Sequence, residues 1–371
     1  MFADYVVLMV ASAVELTVSN LEAAEMGLGI SEVEGISVNR RERTIDGSTI
    51  LGWNPEDACD RSVQTVCFRR KDQSVIATLV NFACHPVVLG KEISEYSSDF
   101  VGPLRKMVKK VLGGECLFLQ GAAGNILPLE GFSETKGLEV EFGTKLAIKA
   151  IESIINPIEP EIVIEKHDFA STTPISVYRR KPMETTFSQS QPMISAKEEW
   201  VRFPFRSLPT RNELEAEVER REQEMTLLKE NPYARNSTNT IKYHIDWAKA
   251  ILKRMDEGSL KPYVDAPLQS IRIGNLGICA APGGIFNEIG LAVKAHSKAK
   301  LTLYCGYSNG ILGYFPTAQE YPHGGYEPNV SHRGYAMPAA FDPQCESILI
   351  EKGSILLNGL FDEDESGLMP T

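Results

Sequence analysis

A chain of 371 residues with 43% hydrophobic and 23% charged residues has the makeup of an ordinary soluble globular protein with a sizeable core. Its formal net charge of -11 and the lack of any dense Lys/Arg block exclude nucleic acid as the expected partner, since that binding rests on neutralising phosphates. Seven cysteines, odd in number and without CxxC spacing, mostly sit inside apolar runs such as those holding Cys84, Cys116, Cys279 and Cys305, and read as buried reduced thiols.

The first eighteen residues contain the apolar run Val6-Val-Leu-Met-Val-Ala-Ser, bracketed by Asp4 and Glu15, and the first basic residue is Arg40. That polarity is wrong for a secretion signal, and the run is too short for a membrane span, so the expectation is a cytoplasmic chain opening on an amphipathic helix that packs one face on a sheet. Residues 64–68 and 74–84 read as strands joined by a polar turn, and 101–111 as a helix with Pro103 in its first turn. A strand follows at 116–120, a helix at 137–155 and a further strand at 161–169. Residues 172–209 have weak periodicity and read as a surface excursion, and 211–230 with 240–257 as a charged helical hairpin inserted in the fold. Asn236-Ser-Thr matches a glycosylation sequon by accident on this reading. The strand pattern returns at 270–280 and 301–306, and after Gly334 only a short tail is expected, ending in an acidic run from Asp362. The sum is an α/β fold, with a mixed central β-sheet flanked by helices and a helical-hairpin insertion within residues 172–258 of a single domain.

Apolar strands that stop at polar or glycine-rich loops are where such a fold presents a site, because ligands sit beyond the carboxyl ends of the strands. The loops Asn81-Phe-Ala-Cys-His85-Pro, Ser97-Ser-Asp99-Phe and Gly121-Ala-Ala-Gly124-Asn125 place His85, Asp99 and Asn125 at such ends. A second group follows at Pro282-Gly-Gly284, Tyr307-Ser-Asn309-Gly, Gly313-Tyr314 and Gly325-Tyr326-Glu327. Without a ligand, His85 is a histidine bonded to a backbone carbonyl, Asp99 a cap for the helix near Val101, Asn125 and Asn309 turn residues, and Asn39-Arg40-Arg41 an anion site or a set of salt bridges.

Taken in order with Val38-Asn39-Arg40-Arg41, these motifs resemble the catalytic N-terminal domain of the neutral/alkaline non-lysosomal ceramidase family, over most of residues 27–329. The resemblance implies a zinc amidase acting on a small-molecule or lipid-like amide, with His85 and Tyr314 as metal ligands and Tyr326 as an oxyanion donor. Zinc held by nitrogen and oxygen with one open position polarises a carbonyl and acidifies its water. The resemblance also implies departures: the family's first zinc histidine lies in a motif upstream of this chain, its zinc glutamate aligns with Gly284, and its serine aligns with Leu127. Glu288, one helical turn further along, is a carboxylate that can face the same way by i,i+4 geometry. Family members are often exported, while this chain carries no export signal. Three readings follow: a hydrolase of an amide or related acyl bond with a partly degraded site, a non-catalytic binding descendant, or the C-terminal part of a split hydrolase with an upstream-encoded partner chain.

Overall fold

The computed structural model describes residues 2–158, 162–167, 171–182, 193–228 and 235–362. Helix α1 (Phe2–Ser19) leads into strands β1 (Glu25–Glu32), β2 (Ser37–Arg43), β3 (Thr49–Asn54), β4 (Ser62–Arg69) and β5 (Val75–Phe82). Next come α2 (Val101–Leu112), β6 (Glu115–Gln120), β7 (Ile126–Pro128), α3 (Leu138–Ile155), β8 (Ile162–His167), β9 (Val177–Pro182) and β10 (Ile194–Pro204). Helices α4 (Arg211–Leu228) and α5 (Arg235–Asp256) precede β11 (Tyr263–Ile273), β12 (Leu276–Ala280) and β13 (Gly284–Ile285). The chain continues through α6 (Asn287–His296), β14 (Leu301–Cys305), β15 (Tyr314–Phe315), the single turn α7 (Tyr326–Asn329) and α8 (Cys345–Asp362).

Two mixed four-stranded sheets, in the orders β1-β4-β5-β6 and β10-β11-β12-β14, take the place of the single central sheet that periodicity suggests. In each, two antiparallel pairings are followed by one parallel pairing. Strand parity explains how they stack, since alternate residues face opposite ways. On β4 and β5, Val66 and Leu79 meet Leu276, Leu301 and Leu303 of the other sheet, while Val63, Val80 and Phe82 face α2 and α3. On the far side, Cys279 of β12 and Tyr304 of β14 face α8 and α6. Four layers result, helix on sheet on sheet on helix.

Four expectations need correction. The 172–209 excursion contains β9 and β10, and β10 is a full member of the second sheet, paired along its length with β11. Its pattern is hidden because Lys197 and Glu199 stand on the same face as the buried Val201 and Phe203, where Glu199 pairs with Lys352 of α8. The strand pattern at 270–280 begins too late and spans two strands, β11 and β12, separated by a tight turn at Gly274-Asn275. The C-terminal tail is α8, whose Leu349, Leu356, Leu357 and Leu360 cover the second sheet. Helix α1 forms as expected, but its apolar side chains stand in solvent rather than on a sheet. The acidic run beyond Asp362 and the loop at 229–234 of the hairpin lie outside the described residues.

The hairpin α4–α5 keeps a small core of its own around Leu214, Trp247, Ala248 and Ile251. Trp247 donates to the Met337 carbonyl at 2.8 Å and Arg333 reaches Glu217 at 2.9 Å, so the hairpin braces the turn that carries Tyr335. All seven cysteines are unpaired, and no described helix is long and apolar enough to cross a membrane.

Candidate functional site

Strand β5 ends at Phe82, and the backbone then crosses to β7: His85 donates its amide to the Ile126 carbonyl at 3.3 Å. The same carbonyl lies 2.9 Å from His85 Nδ1 and accepts from it, so Nδ1 carries the proton and Nε2 presents its lone pair. Two phenols converge on that lone pair, Tyr307 at 2.9 Å and Tyr314 at 3.1 Å. One lone pair accepts one such bond, so one phenol O–H is free to donate elsewhere. His85 keeps some exposure at the rim, yet its ring lies among buried groups. Burial, and then the charge of Arg40, push its pKa down to about 3, which keeps the imidazole neutral.

Gly284 stands where the resemblance places a glutamate, and its surroundings explain why. A Cβ built there would lie 2.6 Å from the Tyr314 ring and 3.0 Å from the Tyr307 hydroxyl. The space beside His85 on this side is filled by the two tyrosines, and β13 pairs with β15 closely enough to hold them there. Glu288 does not replace the lost carboxylate. It accepts from the Asn125 side chain at 2.9 Å and is half-buried on α6, where burial raises its pKa.

The other side of the cluster is built by β2. Consecutive strand residues normally point to opposite faces, but the β2–β3 pairing shifts register between Asn39 and Arg41, and this irregularity lets both arginines reach one carboxylate. Arg40 Nε lies 2.7 Å from one oxygen of Glu327 and Arg41 Nη1 2.6 Å from the other. Arg41, only 1% exposed, also bonds Glu320 at 2.8 Å and the Gly324 carbonyl at 2.6 Å, and Arg43 meets Glu320 from the rim at 2.6 Å. Gly325, at φ 91°, is required there: a Cβ would lie 2.8 Å from Arg41 Nη1. The guanidinium of Arg40 lies 5.1 Å from the centre of the Tyr314 ring and 6.0 Å from that of Tyr326. Although burial opposes its charge, Glu327 and then Tyr314 hold its pKa above the ordinary arginine value. Its Nη2 is buried and makes no hydrogen bond. Tyr326 and Tyr335 pack edge-on against Tyr314, and burial pushes the Tyr326 phenol up to about 12.

His85, Tyr314 and Tyr326 therefore gather in one cluster, as the sequence motifs imply. Asp99 and Asn125 each bind backbone amides. Asp99, at φ 50°, accepts from the amides of Leu89 at 2.9 Å and Phe100 at 2.8 Å, tying the loop after His85 to the start of α2. The N-cap of α2 is Phe100 rather than Asp99. Asn125 accepts from the Asn287 amide at 2.8 Å, and its own carbonyl receives the Arg40 amide, also at 2.8 Å, so it holds α6 and β2 in register. Tyr307 is the member that sequence reasoning left out of the site. The signal for it was the strand-end rule that singles out His85: it directly follows Cys305-Gly306 at the end of β14.

Catalytic zinc takes three protein ligands and a water, usually with at least one further histidine or a carboxylate. Among the described residues no group of three or more His, Cys, Asp or Glu side chains is placed to hold a metal ion. With one imidazole already hydrogen-bonded to phenols and a guanidinium stacked on the tyrosines, the described donors do not fit such a centre.

No family model matches the sequence, and no curated relative matches it. Among solved structures, the chain is similar to the neutral ceramidase of Pseudomonas aeruginosa, with a TM-score of 0.58 and 17% identity over 94% of this chain and 54% of that one. A ceramidase structure described as complexed with C2 gives the same TM-score, at 16% identity over 94% of this chain and 55% of that one. The protein thus shares the fold of these ceramidase structures, and it spans about half the length of the solved ceramidases it matches.

Proposed function

We propose that this protein is a ceramidase-type unit whose cleft receives an amide- or acyl-bearing small molecule or lipid, and that with the residues described here it binds that compound without metal-assisted cleavage. The observation that supports this reading is the packing of Gly284 against Tyr314 and Tyr307, whose phenols both approach Nε2 of His85. A site that had merely lost a carboxylate would leave a gap beside the imidazole. Here that space is filled by Tyr314 and Tyr307.

Elemental analysis of protein purified without an affinity tag, beside a His85→Ala control, tests the reading together with an assay on a fluorogenic N-acyl amide. Sub-stoichiometric zinc in both proteins and no amide hydrolysis are expected. Near-stoichiometric zinc that disappears in His85→Ala, accompanied by hydrolysis, would overturn the reading and restore a zinc amidase.

A second reading is favoured by one feature, helix α1, whose Phe2, Leu8, Met9 and Leu16 are all exposed. A helix apolar over most of its circumference is normally covered. In this reading a further polypeptide segment covers α1 and contributes the missing donors, so that zinc and amidase activity belong to the assembly.

A further inference from the structure

Strands β8 and β9 form a two-stranded ribbon that pairs with no other described strand, and none of its described side chains enters a hydrophobic cluster. A single hairpin is only marginally stable in water, because it has no core in which to bury an apolar face. The apolar side chains of this one stand outward all the same. Ile164 is 71% exposed, Tyr178 61%, and Ile175, in the connection between the strands, 54%.

The register sorts charge and apolar surface together. Lys166 pairs with Tyr178 and Ile164 with Arg180, so the alternation of strand residues puts all four on one face. Glu165, opposite Arg179, belongs to the other face. Lys166, Tyr178, Arg179 and Arg180 are all exposed. The two strands hold four cations, Lys166, Arg179, Arg180 and Lys181, against the single carboxylate of Glu165, so the ribbon reverses the sign of a chain whose net charge is -11. Salt screens the acidic remainder beyond about 10 Å, and at contact the ribbon's own charges decide what it attracts.

We propose that the β8–β9 ribbon docks on anionic lipid surfaces, laying its Ile164-Lys166-Tyr178-Arg180 face against the headgroups. Lysine and arginine there meet anionic headgroups, while a tyrosine beside them rests its ring at headgroup level with the hydroxyl in water. A protein partner fits this face less well. A specific interface takes about 800 Å² from each side, more than one ribbon face of four side chains supplies, whereas a lipid surface needs no matching shape. The inference is independent of the cleft, and concerns how the protein reaches a lipid surface whatever the cleft holds.

Co-sedimentation of the full chain with vesicles tests it, one set made of phosphatidylcholine alone and the other containing about 30% phosphatidylserine. At low salt the bound fraction is expected to be at least threefold higher on the anionic vesicles, and the excess should shrink as salt is raised. Lys166→Glu with Arg180→Glu should abolish the excess and Tyr178→Ser should at least halve it. Lys91→Glu with Lys253→Glu, the same charge change at two exposed lysines elsewhere, should leave it within twofold. Helix α1 cannot imitate this result, because it carries Asp4 and Glu15 and no basic residue. If the charge-reversal variant lacks a native circular-dichroism spectrum, Arg180→Gln and Tyr178→Ser decide. Equal binding to both vesicles, or an excess that the ribbon variants leave unchanged, overturns the inference. Binding of polyglutamate through these side chains without binding of the anionic vesicles would make the partner an acidic protein, and overturns it as well.

Discussion

Gly284 and Tyr314 are in contact through the absence of a side chain: the tyrosine ring occupies the volume that a Cβ at position 284 would need, at 2.6 Å. The two residues pair directly in the short parallel bridge between β13 and β15, so neither backbone has room to withdraw.

Gly284→Ala is therefore expected to destabilise the protein by about 1–3 kcal/mol, the usual cost of forcing extra volume into a packed site. Urea unfolding measures it. In the double variant with Tyr314→Ala, which removes the ring, most of that cost should disappear, and costs that simply add would show that the two residues do not share the space.

The Glu327 carboxylate bridges two buried guanidiniums, of which Arg41 also pairs with Glu320. Glu327→Gln leaves both charges buried and is expected to cost about 3–5 kcal/mol, by the same logic as breaking any enclosed ion pair from one side. Glu320→Gln should cost less, because one of its partners, Arg43, is about a third exposed and can turn to water. For Glu320, burial opposes ionisation, but Arg43 and Arg41 prevail and hold its pKa below the ordinary glutamate value. Its stabilisation is thus present above that ordinary value and is lost as pH falls through the lowered one. Denaturant midpoints of the two variants at neutral pH give the ranking, and an equal loss in both would contradict it.

Much of this architecture is legible in the sequence, for reasons that differ from element to element. Strands β4, β5, β6 and β14 are largely apolar runs bounded by polar turns, and they fall where periodicity puts them. Strand β10 escapes notice because Lys197 and Glu199 interrupt the face that Val201 and Phe203 bury, and its partner β11 is distant in sequence. At the site, the motifs locate His85, Tyr314 and Tyr326, since strand ends are visible as abrupt changes of polarity. They do not reveal that Asp99 and Asn125 serve the backbone, nor that Tyr307 bonds His85, because these roles depend on which loops meet across the two sheets. The buried Arg40-Arg41 pair is the least expected feature. Charged residues in a strand ordinarily signal exposure, and only the register shift on β2 and two glutamates nearly 300 residues away reverse that.

His85 supplies a pH-dependent prediction. Its folded pKa of about 3 lies below the ordinary histidine value of 6.5. As pH falls below 6.5, the unfolded chain takes up a proton at this residue that the folded chain does not, so stability declines. The slope is at most about 1.4 kcal/mol per pH unit. His332, pushed down to about 4 by burial and then by Arg333, adds a slope of the same sign. Carboxylates contribute little above about pH 5. Unfolding free energies at about pH 6 and about pH 5 should therefore fall less steeply in His85→Gln than in the wild type, by close to one proton's worth. An unchanged slope would mean that the imidazole is protonated in the folded protein.

Helix α1 yields the last expectation. Valines 6, 7, 10, 14 and 18 and the larger side chains of Phe2, Tyr5, Leu8, Met9 and Leu16 are exposed, and the charged residues Asp4 and Glu15 share one narrow strip with Ser12. Strand β1, which follows, pairs with β4 on one side and has no partner on the other among the described strands. An uncovered apolar helix next to a free strand edge promotes association. Because α1 contributes no residue to any of the hydrophobic clusters, deleting residues 2–19 is expected to change the melting temperature by no more than about 3 °C. The same deletion should remove most of the binding of a hydrophobic dye and reduce concentration-dependent association in analytical ultracentrifugation. A large fall in melting temperature would instead mean that the helix folds back onto the body of the protein in solution, and that its apolar face is already covered.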